Sequence, residues 1–123
     1  MIKHSFNKNT NILEVIYTGN ITSQEIIELN RAIKNNKQYP RVLKIIADTK
    51  EAHFNFPIKD LDIIVEETII ALEFYTKMID AIIIDNPKNT VLTVLYKNLF
   101  KTKNYEFEIF ATKEAALNWL NKW

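Results

Sequence analysis

The chain has 123 residues, 47% of them hydrophobic, and its 16 basic and 15 acidic side chains leave a net charge of +1. That length suits one domain spanning 1–123, and the near-neutral balance supplies no field to draw in nucleic acid or an anionic membrane. The lack of cysteine excludes disulfides, thiolate catalysis and Cys-ligated metal centres, and a single glycine, Gly19, excludes both the dinucleotide fingerprint and the phosphate-cradling P-loop.

Residues 2–6 and 12–18 read as two strands joined by the turn-rich Asn7-Lys8-Asn9-Thr10-Asn11, which predicts an antiparallel hairpin. Thr22-Ser23-Gln24-Glu25 is a capping box, and Ile21 and Ile26 stand at the two positions of a hydrophobic staple. The helix they start, with Ile26, Leu29 and Ile33 on one stripe, runs to about Asn36 and is broken by Tyr39-Pro40. Val42–Asp48 reads as a strand, and a loop from Thr49 to Asn55 leads to Pro57 in the first turn of a long helix over 57–75. Met78-Ile79-Asp80-Ala81-Ile82-Ile83-Ile84-Asp85 is nearly unbroken in its apolar character, as expected of a strand covered on both faces. Asn86-Pro87 supplies a cap and first residue for a helix to about Lys101. In Tyr105–Ala111, Glu106 and Glu108 alternate with Tyr105, Phe107 and Ile109, which places this strand at an edge. Thr112 then caps a closing helix carrying Ala116, Trp119, Leu120 and Trp123 on one stripe.

The order is ββαβαβαβα: an α/β fold with a mixed five-stranded sheet and helices packed on it. No apolar run reaches the roughly 18 residues of a spanning helix. The start, Met1-Ile2-Lys3-His4-Ser5-Phe6, lacks the apolar stretch and cleavage site of a secretory signal, so a cytoplasmic protein is expected.

This order resembles the SpoIIAA-like proteins of the STAS fold (sulfate transporter and anti-sigma-factor antagonist). The residues that carry the resemblance are Ile45-Ile46-Ala47-Asp48, the loop to a Pro-started helix, Ala81-Ile82-Ile83-Ile84-Asp85-Asn86-Pro87, and the close from Glu108 to Leu120. The resemblance implies a non-enzymatic protein-interaction or regulatory module. In the antagonists a Ser at the start of the second helix is phosphorylated by a partner kinase. The corresponding stretch here, Phe54-Asn55-Phe56-Pro57-Ile58-Lys59, has neither a hydroxyl nor that motif's glycine, which argues against the switch, and Thr49 is the nearest hydroxyl in the same loop. Some of the looser group are placed with lipid-binding domains, which implies an apolar pocket but matches no residue of this chain.

Two candidate sites follow from the residues. Asp48 and Asp85 end strands, where open α/β sheets bind ligands. With His53, Phe54 and Phe56 they outline a small-ligand or lipid pocket near the ends of the strands at 42–48 and 78–85. The same acids also serve as ordinary caps of the turns that follow. No metal or cofactor is expected: the only histidines, His4 and His53, have no ligand spacing around them. The only serines, Ser5 and Ser23, sit in no nucleophile elbow, so no enzyme is expected. The second candidate is the helix over 57–75. Leu61, Ile64, Val65, Thr68, Leu72 and Tyr75 make its core stripe, while Ile63, Ile70 and Phe74 gather within about 40° on the opposite side, where Glu67 also lies. An oily outer side predicts a contact with a second copy or another protein. Lys88, Lys97, Lys101 and Lys103 interleave with Tyr96, Phe100 and Tyr105, but in a near-neutral chain this is a weak nucleic-acid surface and reads as a solvated helix face.

Overall fold

The computed structural model describes residues 1–123. Strand β1 (Ile2–Asn7) pairs antiparallel with β2 (Ile12–Ile21) through a tight turn. There the Asn7 side chain accepts from the amides of Asn9 and Thr10, and Asn11 adopts a left-handed φ of 63°, a conformation asparagine tolerates. Helix α1 (Ser23–Asn35) begins at Thr22 with both halves of the capping box formed. Then come β3 (Val42–Phe54), a 3₁₀ turn (Ile58–Asp60), α2 (Leu61–Leu72), β4 (Lys77–Ile83), α3 (Pro87–Asn98), β5 (Tyr105–Phe110) and α4 (Lys113–Leu120).

The five strands lie in the order β1-β2-β3-β4-β5, parallel except for the first pair. Each crossover therefore advances one strand, and α1, α2 and α3 share one face of the sheet. Their inward residues join those of the strands in the larger core, with Leu13, Val15, Leu43, Ile45, Met78 and Ile82 beneath Ile27, Ile33, Ile64, Leu72 and Leu92. The opposite face is covered by α4, whose Ala116 and Leu120 bury Ile46, Ile79, Ala81 and Ile83. Strand β4 is thus apolar on both sides because both sides are covered. No helix is long and apolar enough to cross a membrane.

Several boundaries differ from those read in the sequence. Strand β3 does not stop at Asp48 and give way to a loop. It continues to Phe54, pairing Glu51–Phe54 with Thr18–Ile21 of β2 after a bulge. The long helix starts at Leu61, because Pro57 precedes a single 3₁₀ turn rather than opening the helix, and it ends at Leu72. Helix α3 ends at Asn98, ahead of Lys101.

Candidate ligand cavity

Between the sheet and helices α1 to α3 the core is not filled. A cavity of about 80 Å³ remains there, within a hollow whose free space, mouth included, is about 760 Å³. Seventeen of its twenty-one lining residues are apolar, and the other four are Asn30, Thr68, Asp80 and Thr93. The floor comes from inward positions of β2 to β5, and the roof from Ile26 and Leu29 of α1, Leu61 and Ile64 of α2, and Leu92 and Tyr96 of α3. Ile26 and Leu29, expected as core, remain half-buried because their stripe borders this space rather than solid packing.

Asp80 is the one carboxyl in the lining. Alternation along β4 puts it on the same side as Met78 and Ile82, facing the helices. Protein encloses it, yet it retains some accessible surface, which is surface of the cavity wall. Burial pushes its pKa up to about 7, although the hydrogen bond from Tyr105 pulls the other way. That hydroxyl donates to Asp80 Oδ2 at 2.8 Å. Tyr96 Oη lies 3.1 Å from Tyr105 Oη, Thr68 Oγ1 lies 3.1 Å from Tyr96 Oη, and Asn30 Nδ2 donates to Thr68 Oγ1 at 3.0 Å. A line of hydrogen bonds thus runs from α1 through α2 and α3 to the carboxyl on β4. Asp80 Oδ1, in contrast, is buried with no partner. The phenols of Tyr17, Tyr96 and Tyr105 all titrate above their ordinary range, through burial first and the nearby Asp80 second.

The pocket expected at the strand ends is therefore centred elsewhere. Phe54 and Phe56 line the cavity, but Asp48, His53 and Asp85 do not. Asp48 accepts from the Lys50 amide, and His53 and Asp85 are exposed. Period-two alternation explains the split on β3: Ala52 and Phe54 point to the helices, and His53 between them points away. No three acidic or histidine side chains come together as a metal site. Thr49 is buried, and its hydroxyl donates to the Ile83 carbonyl at 2.7 Å, so it is not presented to a kinase. Of the aromatics that interleave the lysines, Tyr96 and Tyr105 face the cavity, and Lys97 pairs with Glu108 at 2.9 Å.

Along α2 and the turn that follows it, the six residues of the expected core stripe, Leu61 to Tyr75, are all buried. On the outer side of α2 Ile63 is 52% exposed and Ile70 half-buried, and Phe74, just past the helix end, is 51% exposed. Glu67 takes two hydrogen bonds from the Arg31 guanidinium, at 2.8 and 3.3 Å, which ties α2 to α1.

Asp80, Tyr105, Tyr96, Thr68 and Asn30 were not singled out as a site by the sequence pattern. One signal was present: a lone acid at an inward position of an otherwise apolar central strand.

No family model matches the sequence, and no curated protein matches it. Among solved structures, an uncharacterised protein of the DUF3478 family with a SpoIIAA-like fold, from Shewanella loihica PV-4, matches with a TM-score of 0.63 at 16% identity. The match covers 97% of this chain and 93% of that one. The chain accordingly has the SpoIIAA-like fold, an α/β architecture with a mixed five-stranded sheet. At that identity the likeness speaks for the fold alone.

Proposed function

We propose that this domain is a cytoplasmic, non-enzymatic binding module that holds a small, largely apolar ligand between its sheet and α1 to α3. The observation that carries this reading is the cavity of about 80 Å³ between the sheet and its helices, where protein interiors are ordinarily close-packed. Empty apolar space of this kind costs stability, and an engineered cavity of roughly twice the volume is known to take up benzene or xenon. Native mass spectrometry of protein purified without denaturation tests it, with a mass excess released on collisional activation as the expected result. Xenon-129 NMR tests the space itself and should give a saturable bound shift. A bare mass together with an unsaturable xenon response would refute the reading.

A second reading is favoured by the outer side of α2, where Ile63 and Phe74 stay half-exposed beside Ile70 and Glu67. We infer self-association, or docking of another protein, through this strip. Phe74→Glu should convert an associated wild type into a monomer with an unchanged circular dichroism spectrum, as measured by light scattering. A wild type that is monomeric at high concentration would end the self-association form of this reading.

A further inference from the structure

The line of hydroxyls leading to Asp80 has a direction. Each phenol and the threonine has a single proton to donate, and an ionised carboxylate only accepts. With Asp80 ionised, Tyr105 donates to Asp80 Oδ2. Tyr96 must then donate to Tyr105, and Asn30 donates to Thr68, whose single proton is shared between Tyr96 and the Ile64 carbonyl 2.9 Å away. Both phenol protons point toward one oxygen. Such a chain strengthens link by link and stabilises negative charge at its end. The other oxygen, Oδ1, has no partner, and no lysine, arginine or histidine lines the cavity. When Asp80 is ionised, the site therefore holds an anion that lacks a counter-charge. An anionic head group would meet no cation there and would be repelled by Asp80, and a plain hydrocarbon would leave Oδ1 as bare as before. A cationic head would meet the carboxylate, with the rings of Tyr17, Tyr96, Tyr105 and Phe107 around it.

We propose that the cavity binds a small apolar amine, with its ammonium group on Asp80 and its alkyl portion among the apolar residues of the roof. This inference deepens the cavity reading above and rests on it. The cavity has roughly half the volume of one that takes up benzene, so a four-carbon amine, close to benzene in size, extends from it into the wider hollow. Oδ1 is enclosed as well as unpartnered, so the carboxylate turns part-way about its side-chain torsion to present an oxygen to the ammonium.

The test uses n-butylamine, 1-butanol and butyrate as matched probes, titrated at pH 8 into the isotopically labelled protein and followed by NMR. Butylamine should bind roughly tenfold or more tightly than butanol, the margin expected of a hydrogen bond to a charged group, and butyrate should not compete. Asp80→Asn, which keeps the side chain's shape, should erase that preference while leaving butanol binding in place. The wild type at pH 5 should behave like the variant, since Asp80 is the one acid in the lining and only the phenols of Tyr17, Tyr96 and Tyr105 stand near it. Equal binding of butanol and butylamine, or a preference that survives Asp80→Asn, overturns the amine assignment and leaves the cavity reading standing. No binding of any probe overturns both.

Discussion

Replacing Asp80 by asparagine should remove a pH dependence of stability that the wild type carries. In the folded protein this carboxyl titrates at about 7, against an ordinary value of 3.8. The folded state therefore holds its proton more tightly than the unfolded chain does. The contribution to stability is fully present below about pH 3.8, declines as pH rises toward 7, and is gone above it. At roughly 1.36 kcal/mol per pH unit the whole window is worth about 4 kcal/mol, of which about 2.5 kcal/mol falls between pH 5 and pH 8. Asparagine keeps an oxygen for the Tyr105 hydroxyl, but its amide faces the place where Oδ1 has no partner, at a fixed cost of about 1–3 kcal/mol. The variant should thus be less stable than wild type at pH 5, and the gap should close or reverse by pH 8. Urea denaturation of both proteins at the two pH values measures this directly. Parallel behaviour, with the difference between them changing by less than about 1 kcal/mol, would show that Asp80 is hydrated and ionises normally, and the reasoning about the cavity floor would fail.

Tyr105→Phe deletes the hydrogen bond that lowers the Asp80 pKa, so the carboxyl should titrate above its wild-type value of about 7, as read from the carbon-13 carboxyl resonance. An unchanged or lower value would mean that the bond is not made. Asn89 is fully buried, accepting from the Phe54 amide and donating to the Ala52 carbonyl, so it fastens α3 to the far end of β3. Asn89→Ala leaves two backbone groups unpartnered and should cost about 2–4 kcal/mol in urea denaturation, with faster hydrogen exchange at the Phe54 amide. Retained protection of that amide would contradict the role given to Asn89.

The parts of the fold that could be read from the sequence are those where one local rule decides the outcome. The capping box at Thr22, the Asn86 cap with Pro87 behind it and the buried stripe of α2 depend on spacing within a few residues. Strand β4 announced itself because both of its faces are apolar. The far half of β3 did not. Beyond Asp48 its partner β4 has ended and only β2 continues beside it, so Thr49-Lys50-Glu51 carry the polar character of a strand wet on one face and imitate a loop. The cavity lay further from view. It is an absence of atoms, set by how far three helices stand from the sheet, and no spacing along the chain records that distance. Phe54 and Phe56 were found for a partial reason, their apolar character near a strand end. Asp80 was absorbed into its strand, since a single acid among aliphatics does not show which face it occupies until the register is known.

Helices α1 to α3 arise as crossovers, so each is delivered to the sheet by the pairing of the strands it connects. Helix α4 has no such delivery. It follows all five strands, and its eight residues alone shelter the greasy seam of Ile46, Ile79, Ala81 and Ile83. So short a helix does not persist unaided in water. The helix therefore forms only as it docks on the seam, and a molecule in which α4 has peeled away would be a sticky species with its ligand-facing half still intact.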